Sequence, residues 1–252
     1  MNTENEENTS RPSGLVLHHL DDSRSQRVLW LLEELQVPYT IKYYKRTKSR
    51  LAPRDLKAVH PLGKSPVITD GDLTIAESGA IYLLKTYGNG RFQPPQTRDA
   101  ELRNLYCKWL AYRETMMLIQ YIDTHFAEGT MMPYLVNYLI FTIIPRHVPW
   151  FLRWLIRPIM EKVKSVMVLP NLSNVADMIE KDLGESSTGW IAGGSEPTSA
   201  DFMMLFPLEG LPFALGKDKV GPNTQGWIKL TRQRPAYTRA LEKGGTYAYA
   251  KL

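Results

Sequence analysis

The sequence predicts a small mixed α/β domain over residues 14–88, followed by an all-helical domain over 99–252. Two observations carry this. Residues 14–88 read in the order β-α-β-α-β-β-α, one βαβ unit followed by a hairpin and a last helix, which suits a small sheet with helices on its faces. Beyond Asp99 the apolar residues recur at helical spacing and no convincing strand is found. Between the two parts lies a stretch with two glycines and two adjacent prolines, GNGRFQPPQTR, and the linker is placed at 89–98.

Leu15–Leu20 (LVLHHL) is an apolar, strand-like run that Asp21-Asp22-Ser23 ends. Val28, Leu31, Leu32 and Leu35 then recur every three or four residues, a helix with Ser23 as its expected N-cap. Tyr39–Tyr44 has the aromatic and β-branched content of a strand. Pro53 fits the first turn of a short helix through Leu56 and Val59. Pro66–Thr69 and Leu73–Ile75 flank Asp70-Gly71, a strong hairpin signal. Ser78 is an expected cap for a helix to about Tyr87, with Gly88 stopping it.

In the second half, Leu102, Leu105, Tyr106, Trp109, Leu110 and Arg113 share one helical spacing, and Leu172, Val175, Met178, Ile179 and Leu183 another. Thr198–Asp201 (TSAD) is a capping-box pattern in which Thr198 caps a helix and Asp201 reaches back to its backbone N–H. Its role is folding stability, at about 1 kcal/mol for an ordinary cap.

Composition narrows the classes. The 252 residues are 43% hydrophobic and 23% charged, which excludes a disordered or fibrous chain. The net charge of +5 is too weak to imply nucleic acid, and no nucleic-acid-binding signature is present. The lone cysteine, Cys107, excludes an intrachain disulfide and reads as a core thiol. The five histidines show no HExxH pattern, so no metal is expected. Residues 1–13 read as a flexible tail without a targeting signal. The C-terminal Ala250-Lys251-Leu252 resembles the small-basic-leucine signal for peroxisomal import.

Gly129–Pro145 holds no charged residue, and Trp150, Phe151, Trp154 and Leu155 follow, interrupted by Arg146, Arg153 and Arg157. Three readings stand side by side for 129–169: a spanning helix, buried core plus a dimer surface, and a segment lying in a membrane interface. The run is short for a span, and Pro149 and Pro158 argue against one long regular helix over 146–164.

Three pieces carry the chemistry: Ser23-Arg24-Ser25-Gln26-Arg27 after the first strand, Gly63-Lys64-Ser65-Pro66-Val67 opening the third, and Glu77-Ser78-Gly79-Ala80-Ile81 opening the third helix. In this order and spacing the chain resembles the glutathione transferases, and HHLDDSRSQRVLWLLEEL is similar to fungal and bacterial members of the yeast glutathione-transferase-one type. The resemblance implies a thioredoxin-like N-terminal domain and the family's helical C-terminal domain. It spans nearly the whole chain apart from residues 1–13 and an insertion near 130–169.

The resemblance further implies glutathione as co-substrate. Pro66 is expected in cis beside Ser65, and the backbone of Val67 is expected to pair with the cysteinyl part of glutathione as an added strand would. Glu77 and Ser78 are expected to hold the γ-glutamyl end, with helix N–H groups taking its carboxylate. Lys64 either faces the glycyl carboxylate or stands in solvent. Arg24 and Arg27 add positive charge near the carboxylates, unless Arg27 faces solvent.

The thiol of glutathione is the nucleophile, and a hydroxyl at the helix start favours its thiolate. Ser23 is the catalytic candidate, with Ser25 as the alternative; Asp22 aligns where some relatives carry the active serine. Tyr106, Trp109, Arg113, Met116 and Met117 are candidates for an electrophile pocket between the domains, or for ordinary helix packing. The implied activity is conjugation of small hydrophobic electrophiles, with reduction of organic hydroperoxides as a side reaction. A homodimer and a cytoplasmic location, at an intracellular membrane such as the endoplasmic reticulum or in the peroxisome as alternatives, complete the expectation. Two other classes remain open on sequence: a carrier of apolar ligands and a regulatory protein on the same fold.

Overall fold

The structure, a computed structural model, describes residues 14–76, 79–93 and 126–251. Its N-terminal part is built from β1 (Val16–Leu20), α1 (Ser25–Leu35), β2 (Thr40–Tyr44), α2 (Leu56–Val59), β3 (Val67–Asp70), β4 (Leu73–Ala76) and α3 (Gly79–Tyr87). The sheet has the order β2-β1-β3-β4. β1 runs parallel to β2 and antiparallel to β3, with Val16 opposite Thr40 and His18 opposite Val67. β3 and β4 form the hairpin, Asp70 opposite Leu73, so the tight turn is Gly71-Asp72. Gly71 takes φ +56°, a conformation open to glycine at no steric cost.

The helical part comprises a π-helical turn Ala127–Met131 running into α4 (Met132–His147), a 3-10 turn Trp150–Leu152, α5 (Arg153–Val163), a second π-helical turn Lys164–Val168, then α6 (Leu169–Glu185), α7 (Ser199–Leu215), α8 (Pro222–Arg232) and α9 (Pro235–Gly244). As expected, no single regular helix spans 146–164; the break falls at Pro149, while Pro158 lies within α5. Among the described residues no helix is long and apolar enough to cross a membrane.

α1 is the hinge of the architecture. All eleven of its residues are buried, although Gln26, Arg27, Glu33 and Glu34 are polar. Its apolar side packs on the sheet and its other side on the helical part. Trp30 lies against Phe202 of α7, ring centroids 4.5 Å apart, and meets Tyr237 of α9 edge-on. The acids are paired rather than stranded, as burial of charge demands. Glu33 accepts from Arg239 at 2.8 Å and from Lys243 at 2.5 Å, and Glu34 is held by Arg234. Three cations of the C-terminal helices therefore lock α1 in place.

Thr198 and Asp201 form a capping box at the start of α7. Asp201 does more than cap. One carboxylate oxygen accepts from Thr198 N–H (2.8 Å) and Thr198 O–H (3.0 Å). The other accepts from Ile191 N–H (3.0 Å) and the Trp227 indole (2.8 Å).

Candidate functional site

At the end of β1 the chain turns through Asp21–Arg24 into α1. Arg46 clamps this turn, donating through its backbone N–H to Asp21 Oδ1 (2.8 Å) and through its side chain to the carbonyls of Asp21 (3.1 Å) and Asp22 (2.8 Å). Asp22 has a left-handed φ of +46°. Its carboxylate accepts from Ala248 N–H at 2.7 Å, so the C-terminal segment reaches the same turn.

Ser23 and Ser25 follow. Ser23 is not the N-cap: α1 begins at Ser25 with Arg24 at the cap position. The Ser23 Oγ nevertheless accepts from Ser25 N–H at 3.2 Å, doing a cap's work one residue early because its own O–H points back to Leu20 O (2.7 Å). Ser25 is wholly buried. Its Oγ lies 2.8 Å from Ser23 Oγ and 2.8 Å from His19 Nδ1. On the far side of the ring, His19 Nε2 lies 3.0 Å from the Gly244 carbonyl, which can only accept. Nε2 therefore carries the proton and Nδ1 accepts from Ser25. Burial pulls the His19 pKa below its usual 6.5 and keeps the ring neutral. A Cβ at Gly244 would stand 2.6 Å from Gln26 Oε1 and 3.0 Å from Leu29 Cδ2, so these side chains would have to shift to admit one.

A small recess, little larger than one water, lies beside the turn, lined by Arg24, Arg27, His60, Leu62, Lys64, Ser65, Pro66 and Ala76. The Ser65–Pro66 peptide bond is cis. The Ser65 side chain faces β1, donating to His18 O (2.8 Å) and accepting from Leu20 N–H (3.2 Å), so what this residue offers the recess is backbone. Lys64 is exposed at the rim.

One sequence expectation changes here, and others are placed. Val67 is buried and paired with His18 on one side and Ala76 on the other, so it has no open edge for an added strand. Ser65 lies just outside the ladder, before the cis bond to Pro66. Ser23 and Ser25 are both buried, with the Ser23 hydroxyl on Leu20 O and the Ser25 hydroxyl beside His19. Arg27 does not face solvent: it is buried, 2.6 Å from Glu128 Oε1, and Arg24 also contacts Glu128. Glu77, Ser78, Tyr106, Cys107, Trp109, Arg113, Met116 and Met117 lie outside the described residues.

Sequence reasoning missed Glu128, Arg46 and His19. Glu128 did carry a signal, being the last acid before an acid-free run that ends at Glu161. His19 and Arg46 carried none, because their roles depend on contacts across the sheet. Among the described residues no three of His, Cys, Asp and Glu cluster as metal ligands.

Residues 12–83 match the family model described as "Glutathione S-transferase, N-terminal domain". The chain is 34% identical over 235 residues to "Glutathione S-transferase 3" of Schizosaccharomyces pombe, covering 91% of this chain and 87% of that protein. The chain belongs to the glutathione S-transferase family. "Glutathione S-transferase 1" of Saccharomyces cerevisiae is 28% identical over 241 residues, covering 91% and 94% of the two chains. Among solved structures, a glutathione S-transferase of Actinobacillus pleuropneumoniae superposes with a TM-score of 0.69 at 27% identity, covering 94% of this chain and 96% of that one. The two-part architecture of this glutathione S-transferase family member, a mixed sheet domain and then helices, is the family's fold.

Proposed function

We propose that this protein binds glutathione at the recess beside Ser65–Pro66 and presents its thiol as thiolate to small apolar electrophiles. The observation that carries the reading is the pairing of backbone and charge in one recess. Glutathione is a short peptide with two carboxylates, a thiol and one ammonium. The recess sets the backbone of Ser65 against Arg24, Arg27 and Lys64. The family relationship supplies the rest of the support.

In this reading the cysteinyl backbone pairs with Ser65, and Lys64 and Arg24 take carboxylate charge. Glu77 and Ser78 are assigned the γ-glutamyl end, and Tyr106, Trp109, Arg113 and Met116 the electrophile side. The thiol comes to the Asp21–Arg24 turn, where the start of α1 favours negative charge. Ser23 is the donor we assign. Its O–H rotates away from Leu20 O to the sulfur, a tightening that comes only with ligand bound. The thiolate attacks an electrophilic carbon and the leaving group departs with its electron pair. The same thiolate attacking a peroxide O–O bond, with a second glutathione resolving the product to a disulfide, is the proposed side reaction. The homodimer and the cytoplasmic or peroxisomal placement belong to this reading as well.

Calorimetric binding tests it. Glutathione is expected to bind, and a variant with Lys64→Gln and Arg24→Gln is expected to bind about tenfold or more weakly. Equal binding by variant and wild type would place the peptide elsewhere.

A further inference from the structure

A row of hydrogen-bonding groups runs inward from the turn that opens α1. Ser23 Oγ lies 2.8 Å from Ser25 Oγ, nearly as close as the Leu20 carbonyl at 2.7 Å, so one hydroxyl can turn from the carbonyl to its neighbour. Ser25 Oγ lies 2.8 Å from His19 Nδ1, and His19 Nε2 lies 3.0 Å from Gly244 O. All three side chains are buried. The row therefore leads from the turn to a group that can accept a proton, with a carbonyl behind it to hold the imidazolium through Nε2–H.

The surroundings of His19 set when it charges. Asp21 and the Gly244 carbonyl favour the imidazolium, and burial opposes it more strongly. Tyr43 of β2 meets the ring edge-on, with centroids 6.1 Å apart. Lys243, next to Gly244 in α9, is turned to Glu33. Alone, the ring is therefore neutral. A thiolate beside Ser23 changes that balance, because a thiolate and an imidazolium stabilise each other as an ion pair, and more so away from water.

We propose that His19 takes the proton of the glutathione thiol through Ser23 and Ser25, a step that rests on the glutathione reading above and adds where the proton goes. The S–H bond breaks, its proton moves to Ser23 Oγ, and the sulfur keeps the electron pair. The proton that Ser23 held passes to Ser25 Oγ, and the proton of Ser25 passes to His19 Nδ1. Each hydroxyl ends with one proton, as it began. The direction of every bond is reversed: His19 Nδ1–H donates to Ser25, Ser25 to Ser23, and Ser23 to the thiolate. Ser23 Oγ then donates once and accepts twice, from Ser25 O–H and from Ser25 N–H (3.2 Å), which fills its capacity. Charge separates without a proton lost to water. Once attack consumes the thiolate, the imidazolium has no partner, and burial returns the proton along the row to the leaving group or to water.

Counting protons tests it. Glutathione binding to the full chain is followed by calorimetry at neutral pH in buffers of different ionisation enthalpy, with the bound thiolate read by ultraviolet absorbance in parallel. Wild type is expected to release less than about half a proton per thiolate formed, and His19→Gln about one. His19→Gln keeps an acceptor for Ser25 and a donor for Gly244, so a merely structural His19 would leave the count unchanged. Nitrogen NMR of the wild type gives a second readout that needs no variant. Glutathione should convert the His19 ring from the neutral Nε2–H form to the imidazolium, and S-methylglutathione, which has no thiol proton, should leave it neutral. A full proton released per thiolate by wild type, or a ring that stays neutral with glutathione bound as thiolate, would overturn the relay and leave the glutathione reading standing. No bound thiolate in wild type would overturn both.

Discussion

The Arg27 guanidinium lies 2.6 Å from Glu128, buried between the first turn of α1 and the helical domain. Breaking a buried pair leaves one charge uncompensated, which costs more than the pair itself contributes. Glu128→Ala is expected to destabilise the fold by about 3 kcal/mol, read as a lower denaturant midpoint at an unchanged slope. Glu128→Gln, which keeps an acceptor for Arg27, should lose less. An unchanged midpoint in Glu128→Ala would mean that the contact does not join the domains in solution.

The two serines at the turn should separate rate from stability. Ser23→Ala is expected to lower kcat/KM at neutral pH by about tenfold or more, corresponding to a bound-thiol pKa raised by one unit or more. Ser25→Ala should mainly destabilise, by about 1–3 kcal/mol, because it strands His19 Nδ1 in the interior. Steady-state kinetics and thermal melts on both variants check this. If Ser25→Ala lost the rate and Ser23→Ala kept it, the donor assignment would be reversed.

His19 gives a pH signature. Its folded-state pKa is depressed by burial, and His18 is shifted the same way. The unfolded chain therefore takes up protons first as pH falls. The stability that neutral His19 supports is complete above about 6.5 and is lost progressively as pH drops toward the folded value. His19→Gln retains an acceptor for Ser25 and a donor for Gly244 without titrating. Its stability should fall less than wild type between pH 6.5 and 5, before the carboxylate losses of Glu33 and Glu180, whose partners hold them below the usual 4.5. Parallel stability–pH curves would remove His19 from this account.

Asp201 is expected to cost more than a cap. Asp201→Ala removes the acceptor of four donors, two of them from Ile191 and Trp227. The loss should exceed the roughly 1 kcal/mol of a simple N-cap and reach about 3 kcal/mol. Trp227→Phe alone should lose only part of it. Urea midpoints for the two variants decide.

The elements themselves were legible because they rest on local chemistry. The period of Val28, Leu31, Leu32 and Leu35 and the glycine-bearing turn between β3 and β4 each act within a few residues. The capping pattern at Thr198 was readable for the same reason, although only the fold brings Trp227 and Ile191 to the Asp201 carboxylate. Site contacts were less legible where they depend on sheet register. Val67 reads as a strand residue beside the proline, and only the fold shows that it is paired on both sides, with His18 and with Ala76. The sequence leaves Arg27 open between a charge near the carboxylates and a solvent-facing residue, and only the fold shows that α1 is covered on all sides. The apolar run at 129–145 could not be divided from sequence into its inward and outward stripes, since both have the same composition.

In the proposed reading, the turn at Ser23 and the recess at Ser65–Pro66 together bind glutathione and lower the pKa of its thiol. The most direct measurement is the ultraviolet absorbance of the thiolate of glutathione bound to the purified protein, followed against pH. The expected titration lies at least one unit below the roughly 8.5 of a free thiol, shifted back upward in Ser23→Ala. Binding with an unshifted thiol, or no binding at all, would contradict it.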